Sequence, residues 1–361
     1  MSAKNYKKTL LVNPISQDEL QKRLSAPGFG SVFSEHMVSA DWHRDLGWHD
    51  YRVEPYGPIS LAPSAMVFHY GQEIFEGLKI FRHSQDSSVR AFRPLENAKR
   101  FQKSSERIAL PVLPVEDFLQ SLREWVMVDG RWVPNAPSCV YARPFMIATE
   151  EALGLRATCS ARYTLICCPV GDLFGQIRPI KVRVSSKYSR ASRGGTGSVK
   201  FGGNYAASIL PQVEAGNDGF DQVLFLDSAS YKNIEELSAS NIFFVLSSKT
   251  LITPSLDGTI LPGVTRDSII RIAEDLGFVV EQRQISLDEV THLFSQDKVT
   301  EMFCCGTAAS VTPIGSVSFD GGTLGSGQAG PVTMLLREYL RDIQFGNRPD
   351  KYNWMVNLED T

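Results

Sequence analysis

Two kinds of apolar pattern alternate along the chain. One recurs every three or four positions and predicts amphipathic helices; the other is a short, nearly continuous apolar run and predicts buried strands. Leu95, Ala98, Phe101, Ser105 and Ile108 share one helical face, with Pro94 at the first helical position. Phe118, Leu119, Leu122, Trp125 and Val126 repeat that spacing over about 115–128. Ile269, Ile270, Ala273 and Leu276 form the apolar face of a helix over 266–276, ended by Gly277. Ser286-x-x-Glu289 is a capping box opening a helix to about 294, and Pro331 starts a last helix with Leu335, Leu336, Tyr339, Leu340 and Ile343 inward. Asn204 is placed to cap a helix to about 215, with a bend at Pro211. Apolar runs at 66–70, 139–147, 163–170, 181–186, 223–226, 242–246 and 299–305 predict strands, and 42–51 predicts strands around a turn. Gly321 to Gly330 is rich in glycine and predicts a surface turn. Helices and strands mixed in this way predict an α/β protein of α+β type.

A chain of 361 residues has room for about two domains. At 43% apolar and 21% charged residues it has the composition of a soluble globular protein. A net charge of −3 gives no basic footprint for nucleic acid. No apolar run approaches the ~20 residues that span a bilayer, and the polar start, Met1 to Lys8, carries no signal-peptide pattern. The expected location is therefore the cytoplasm. The six cysteines include two adjacent pairs in apolar runs and no C-x-x-C, which points to buried free thiols. The six histidines are scattered, and no spacing fits a metal site.

The candidate chemistry centres on Gly194 to Tyr205, where Lys200 lies between Gly194, Gly195 and Gly197 on one side and Gly202 and Gly203 on the other. Glycines let a backbone approach a ligand closely, and a desolvated lysine amine becomes a nucleophile. Most glycine-rich loops are only connections, and most lysines are solvated. A nucleotide phosphate loop is excluded, because Val199 and Phe201 flank the lysine where that motif needs Gly and Ser or Thr. Leu261-Pro-Gly-Val-Thr265 leads into a helix N-terminus, a natural anion site. Arg143 in an apolar strand calls for a partner. Taken alone, Tyr70 and Phe75 fit core packing, Arg100 a surface position and Glu236 a solvated loop.

Val-Lys-Phe-Gly-Gly-Asn-Tyr-Ala-Ala-Ser, residues 199–208, resembles the cofactor-lysine segment of branched-chain amino acid aminotransferases, pyridoxal phosphate (PLP) enzymes of fold type IV with a D-amino acid aminotransferase-like fold. Tyr141-x-Arg143-Pro144 and the segment from Glu236 to Asn241 agree with it in order and spacing, and the resemblance runs from about Phe29 to the last helix. It implies a smaller domain over 1–170, a linker region over 171–186 and a larger PLP-binding domain over 187–361. Lys200 is the implied catalytic residue and the one that bears the cofactor. Tyr205 is implied at the ring's phenolic oxygen, Glu236 at its pyridine nitrogen and Arg190 nearby, with Arg100, Val264, Thr265 and Thr307 around the phosphate. Phe29, Phe75, Tyr141, Arg143, Leu173, Ala308 and Ala309 are implied substrate contacts, as are Tyr70, Leu153 and Leu155 from across a homodimer interface. The implied reaction transfers the amine of leucine, isoleucine or valine to 2-oxoglutarate.

The sequence departs from the family at Leu173, where many members carry an aromatic residue, and at Ser238 and Ala239, where many carry glycine and threonine. These departures leave open a related enzyme acting on another apolar or unusual amino acid. The same fold also hosts PLP lyases. Ala309 and Thr312 occupy the positions where some relatives carry a C-x-x-C redox pair.

Overall fold

The structure is a computed structural model that describes residues 4–171, 178–247 and 249–360. The chain divides into two compact units, Met1–Leu173 with Ile343–Thr361, and Phe174–Asp342.

The first unit contains β1 (Lys7–Lys8), α1 (Gln17–Ser25), β2 (His36–His43), β3 (Gly47–Pro55), α2 (Met66–Tyr70), β4 (Glu73–Phe75), β5 (Leu78–Arg82) and β6 (Val89–Phe92). It continues with α3 (Pro94–Arg107), α4 (Val115–Asp129), β7 (Cys139–Ala148) and β8 (Ser160–Val170). The second unit contains β9 (Ile180–Val184), α5 (Gly202–Asn217), β10 (Gln222–Leu226), β11 (Ile234–Leu237), β12 (Asn241–Leu246), β13 (Thr250–Thr253) and α6 (Val264–Asp275). There follow β14 (Val279–Gln282), α7 (Leu287–Ser295), β15 (Val299–Gly306), β16 (Ser310–Phe319), β17 (Gly322–Leu324) and α8 (Pro331–Phe345). The closing strand, β18 (Met355–Asn357), returns to the first sheet and pairs with β6.

Each unit is built on a sheet in which nine strands are described. The first runs β1-β3-β2-β8-β7-β5-β6-β18 with β4 on β7, and the second β11-β10-β9-β16-β15-β12-β13-β14 with β17 on β16. In the first unit Phe101 of α3 and Phe118 of α4 pack against Tyr163 of β8, and Trp125 and Trp132 are fully buried. Each such side chain contributes roughly 1.5–3 kcal/mol through burial. In the second, Phe243 and Phe303 stack at 4.9 Å across β12 and β15.

Several expectations are corrected. Met66–Tyr70 is a short helix rather than a strand, closed by Gly71 in the left-handed region (φ 56°). Five apolar residues are too few for periodicity to separate helix from strand. Asn204 lies inside the first turn of α5, whose N-cap is Phe201, and Pro211 is carried within one helix. Residues 234–237, expected as loop, form a strand of the second sheet. Leu335 faces outward, while Leu336, Leu340 and Ile343 are buried. The strand expected over 181–186 runs over 180–184, between β10 and β16, and residues 343–361 belong to the first unit.

Candidate active site

In the second unit the glycine-rich loop is pinned by one asparagine. Asn204 Nδ2 donates to the Thr196 and Val199 carbonyls at 2.7 and 2.9 Å, and Thr196 Oγ1 donates to Asn204 Oδ1 at 2.7 Å. Gly197 is pressed so close that a Cβ there would stand 2.6 Å from Ala191 Cβ and overlap the Thr259 carbonyl. The clamp leaves Lys200 immediately before α5, with Nζ donating to the Tyr205 hydroxyl at 2.7 Å. An amine and a phenol thus meet across the start of one helix.

Glu236 is 4% exposed. Its Oε1 is ion-paired with Arg190 Nη2 at 2.6 Å and accepts from the Leu261 amide at 2.9 Å, and its Oε2 accepts from Asn241 Nδ2 at 3.0 Å. Arg190 is 6% exposed and also donates to the carbonyls of Gly197, at 3.1 Å, and Thr259. Burial of both charges is costly, and close pairing with further hydrogen bonds is what offsets it. The carboxylate read in isolation as solvated is therefore a buried, fixed one. It sits at a β-bulge: Leu224 pairs with Leu237 and Leu226 with Ile234, so Glu235 and Glu236 together oppose the single residue Phe225.

Helix α6 opens beside this carboxylate. Its N-cap is Gly263, no side chain caps it, and a Cβ at Gly263 would overlap Asn241 Oδ1. Val264 and Thr265 are its first two residues. β15 ends at Gly306, where a Cβ would stand 3.3 Å from both the Ala239 carbonyl and Ser240 Oγ. Thr307, Ala308 and Ala309 follow, half-buried, in the turn to β16. Ser238 is turned away, with its hydroxyl donating to Gln212 Oε1 at 3.2 Å.

The first unit gathers a second set. The Arg143 guanidinium lies 4.7 Å from the Phe75 ring and 5.3 Å from the Tyr141 ring, and its Nη2 donates to the Tyr141 hydroxyl at 3.2 Å. Phe29 meets Tyr141 edge-on at 5.1 Å. A Cβ at Gly77 would overlap the Tyr141 hydroxyl and stand 2.6 Å from Cζ. Arg100 is buried, not on the surface. Its Nε and Nη2 donate to Glu76 at 2.6 and 2.9 Å, and Asn97 Nδ2 donates to the same carboxylate at 2.8 Å. The Tyr70 hydroxyl donates to the Leu153 carbonyl, on an exposed loop where Leu155 is 82% exposed. Leu173 lies outside the described residues.

Glu76, Asn241 and the clamping role of Asn204 were not anticipated. The one available signal was Asn97-x-x-Arg100, whose spacing puts both side chains on one helical face, open to a shared acceptor.

A family model for amino-transferase class IV matches residues 73–317, and the chain belongs to that family. It is 48% identical over 354 residues to a branched-chain-amino-acid aminotransferase of Mycolicibacterium smegmatis, covering 96% of each chain. It is 42% identical over 339 residues to branched-chain-amino-acid transaminase 1 of Bacillus subtilis, covering 92% of this chain and 95% of the relative. Among solved structures it is similar to the branched-chain amino acid aminotransferase of Escherichia coli, with a TM-score of 0.74 and 25% identity over 90% of this chain and 99% of that one. It is also similar to that of Thermobaculum terrenum in its PLP form, with a TM-score of 0.75 and 25% identity over 90% and 99%.

Proposed function

We propose that this protein is a PLP-dependent aminotransferase that moves the amino group of leucine, isoleucine or valine to 2-oxoglutarate. The observation that carries the proposal is that one unit holds Lys200 against Tyr205 and ties their loop, through Arg190, to the buried Glu236. An amine, a phenol, a fixed carboxylate and an uncapped helix N-terminus are the donor set that a phosphorylated pyridine aldehyde requires.

Lys200 would tether the cofactor, Tyr205 would meet its phenolic oxygen and Glu236 its ring nitrogen. Val264, Thr265 and Thr307 would hold its phosphate, with Arg190 bracing Glu236. When bound, the cofactor supplies an electron sink for the carbanion at the amino acid's Cα. The Lys200 amine is the base that takes the proton from Cα and the acid that returns it. Glu236, kept charged by Arg190, Leu261 and Asn241, favours a proton on the ring nitrogen. Glu76 holds two nitrogens of Arg100 and so fixes the plane of the guanidinium.

Within the first unit, Tyr141 and Arg143 are suited to the substrate's α-carboxylate. Phe29, Phe75 and Leu173 are suited to its apolar side chain. The loop tied down by Tyr70 exposes Leu153 and Leu155, which supports a homodimer in which these leucines reach a second copy. A location in the cytoplasm accords with six free cysteines, and among the described residues no helix is long and apolar enough to cross a membrane. A second reading, a different apolar amino acid as donor, is favoured by Ala239, which lacks a hydroxyl, and by Ser238, whose hydroxyl is spent on Gln212.

The test is the visible spectrum of the purified protein on adding leucine and then 2-oxoglutarate. Leucine should convert the cofactor band, and 2-oxoglutarate should restore it while forming glutamate. A band that other donors move and leucine does not would support the second reading. Formation of 2-oxo acid without glutamate would mark a lyase and sink the transaminase reading.

A further inference from the structure

Glu235, beside the carboxylate just described, has no role in the mechanism above. The bulge in β11 sets Glu235 and Glu236 together opposite Phe225, so their side chains are not sent to opposite faces as in a regular strand. Glu235 is 4% exposed, and its Oε2 has no hydrogen-bond partner. Arg190, which holds Glu236, likewise has a buried Nε with no partner. The charged and titratable groups felt by Glu235 are Arg190, Asp257 and Glu236. Asp257 in turn faces Arg193 at 3.5 Å and accepts from the Thr259 hydroxyl at 2.8 Å.

We infer that Glu235 is a proton-linked positioning residue. On ionising, it sets a second negative charge beside Glu236, its neighbour at the bulge, and so strengthens the negative charge that Glu236 presents. The inference rests on the proposed role of Glu236 opposite the cofactor's ring nitrogen. Burial pushes the Glu235 carboxyl up to about 7, with Asp257 and Glu236 adding to the rise and Arg190 opposing it. Below that pH Glu235 is neutral and adds no charge beside Glu236. Above it, a second carboxylate beside Glu236 raises the proton affinity of Glu236 and of any base it faces. The proton lost goes to solvent, and no other bond is made or broken.

The experiment compares the wild-type protein with Glu235→Gln, a variant of the same shape. The first arm uses the protein freed of cofactor and follows its stability against pH. Between the ordinary carboxyl value of 4.5 and about 7 the folded chain keeps a proton that the unfolded chain releases, so wild-type stability should fall with rising pH relative to Glu235→Gln and then level off. The wild-type protein should also lose a carboxylic-acid C=O infrared band as the pH passes about 7. The second arm follows kcat of the loaded enzyme with leucine, where a shift of one pK unit at Glu236 is worth up to about tenfold. Wild type should gain several-fold on the variant above neutrality, and that gain should vanish below about pH 6.

Parallel stability curves with no band lost would overturn proton binding at Glu235. Divergent stability curves with superimposable kcat profiles would overturn its coupling to Glu236. A protein inactive with every amino acid would refute the transaminase reading, while the first arm would still judge Glu235.

Discussion

Arg190 Nη2 lies 2.6 Å from the Glu236 carboxylate and donates to the Gly197 carbonyl at 3.1 Å, so a single nitrogen joins the buried carboxylate to the loop that carries Lys200. Replacing Arg190 by methionine takes the ion-pair partner from the buried Glu236 charge, while the Leu261 amide and the Asn241 side chain still donate to it. The expected loss of stability is about 3–5 kcal/mol, read by urea denaturation. Glu236→Gln keeps the shape and removes the charge. Its kcat with leucine should fall by roughly 10²-fold or more, with a smaller change in KM. Equal kcat values would refute the role given to this carboxylate.

Lys200 is half-buried and contributes little packing, so Lys200→Ala should melt within about 1 kcal/mol of wild type. Its turnover should fall by at least ~10²-fold through loss of the group that moves the proton at Cα. Substantial remaining transamination would remove Lys200 from the mechanism.

Gly77→Ala drives a methyl group into the Tyr141 hydroxyl, which also accepts from Arg143. The neighbour is a buried ring that cannot swing away, so the cost should be about 1–3 kcal/mol. Because Tyr141 and Arg143 shift together, KM for leucine should rise more than kcat falls. Pairing the substitution with Tyr141→Phe should not restore affinity, since the ring carbon Cζ is also within 2.6 Å.

Asp227 shapes the turn that delivers β11 and its bulge. Burial opposes its charge, but the amides of Asn233, Ser230 and Lys232 outweigh that and hold the carboxyl down at about 2. A lowered folded-state value stabilises the protein above the unfolded carboxyl value, and that stability is lost as pH falls toward 2. Asp227→Asn should therefore melt lower than wild type at neutral pH, and the gap should close in acid. A gap of constant size from neutral to acid pH would mean that the turn does not depend on the charge.

The amphipathic helices α3, α4, α6 and α7 and the buried strands β7, β8, β10, β12 and β15 were legible because their patterns are local. A period of 3.6 or an unbroken apolar run is visible within one segment. Lys200 and Tyr205 were legible together because five residues bridge a loop end and the first turn of the helix that follows it. Glu76 with Arg100 was not, since the pair spans 24 residues and depends on where α3 settles against the first sheet. Arg190 with Glu236 was equally hidden, because it requires the lysine loop to meet an edge strand at a bulge that only pairing with β10 creates. The last helix carries the chain back to the first unit, where β18 pairs with β6, and no periodicity announces that return. The sequence by itself determined the elements, the lysine and its helix. The tertiary structure decided which buried charges meet, because a charge far along the chain becomes a partner only when sheet order and register bring it within hydrogen-bond reach.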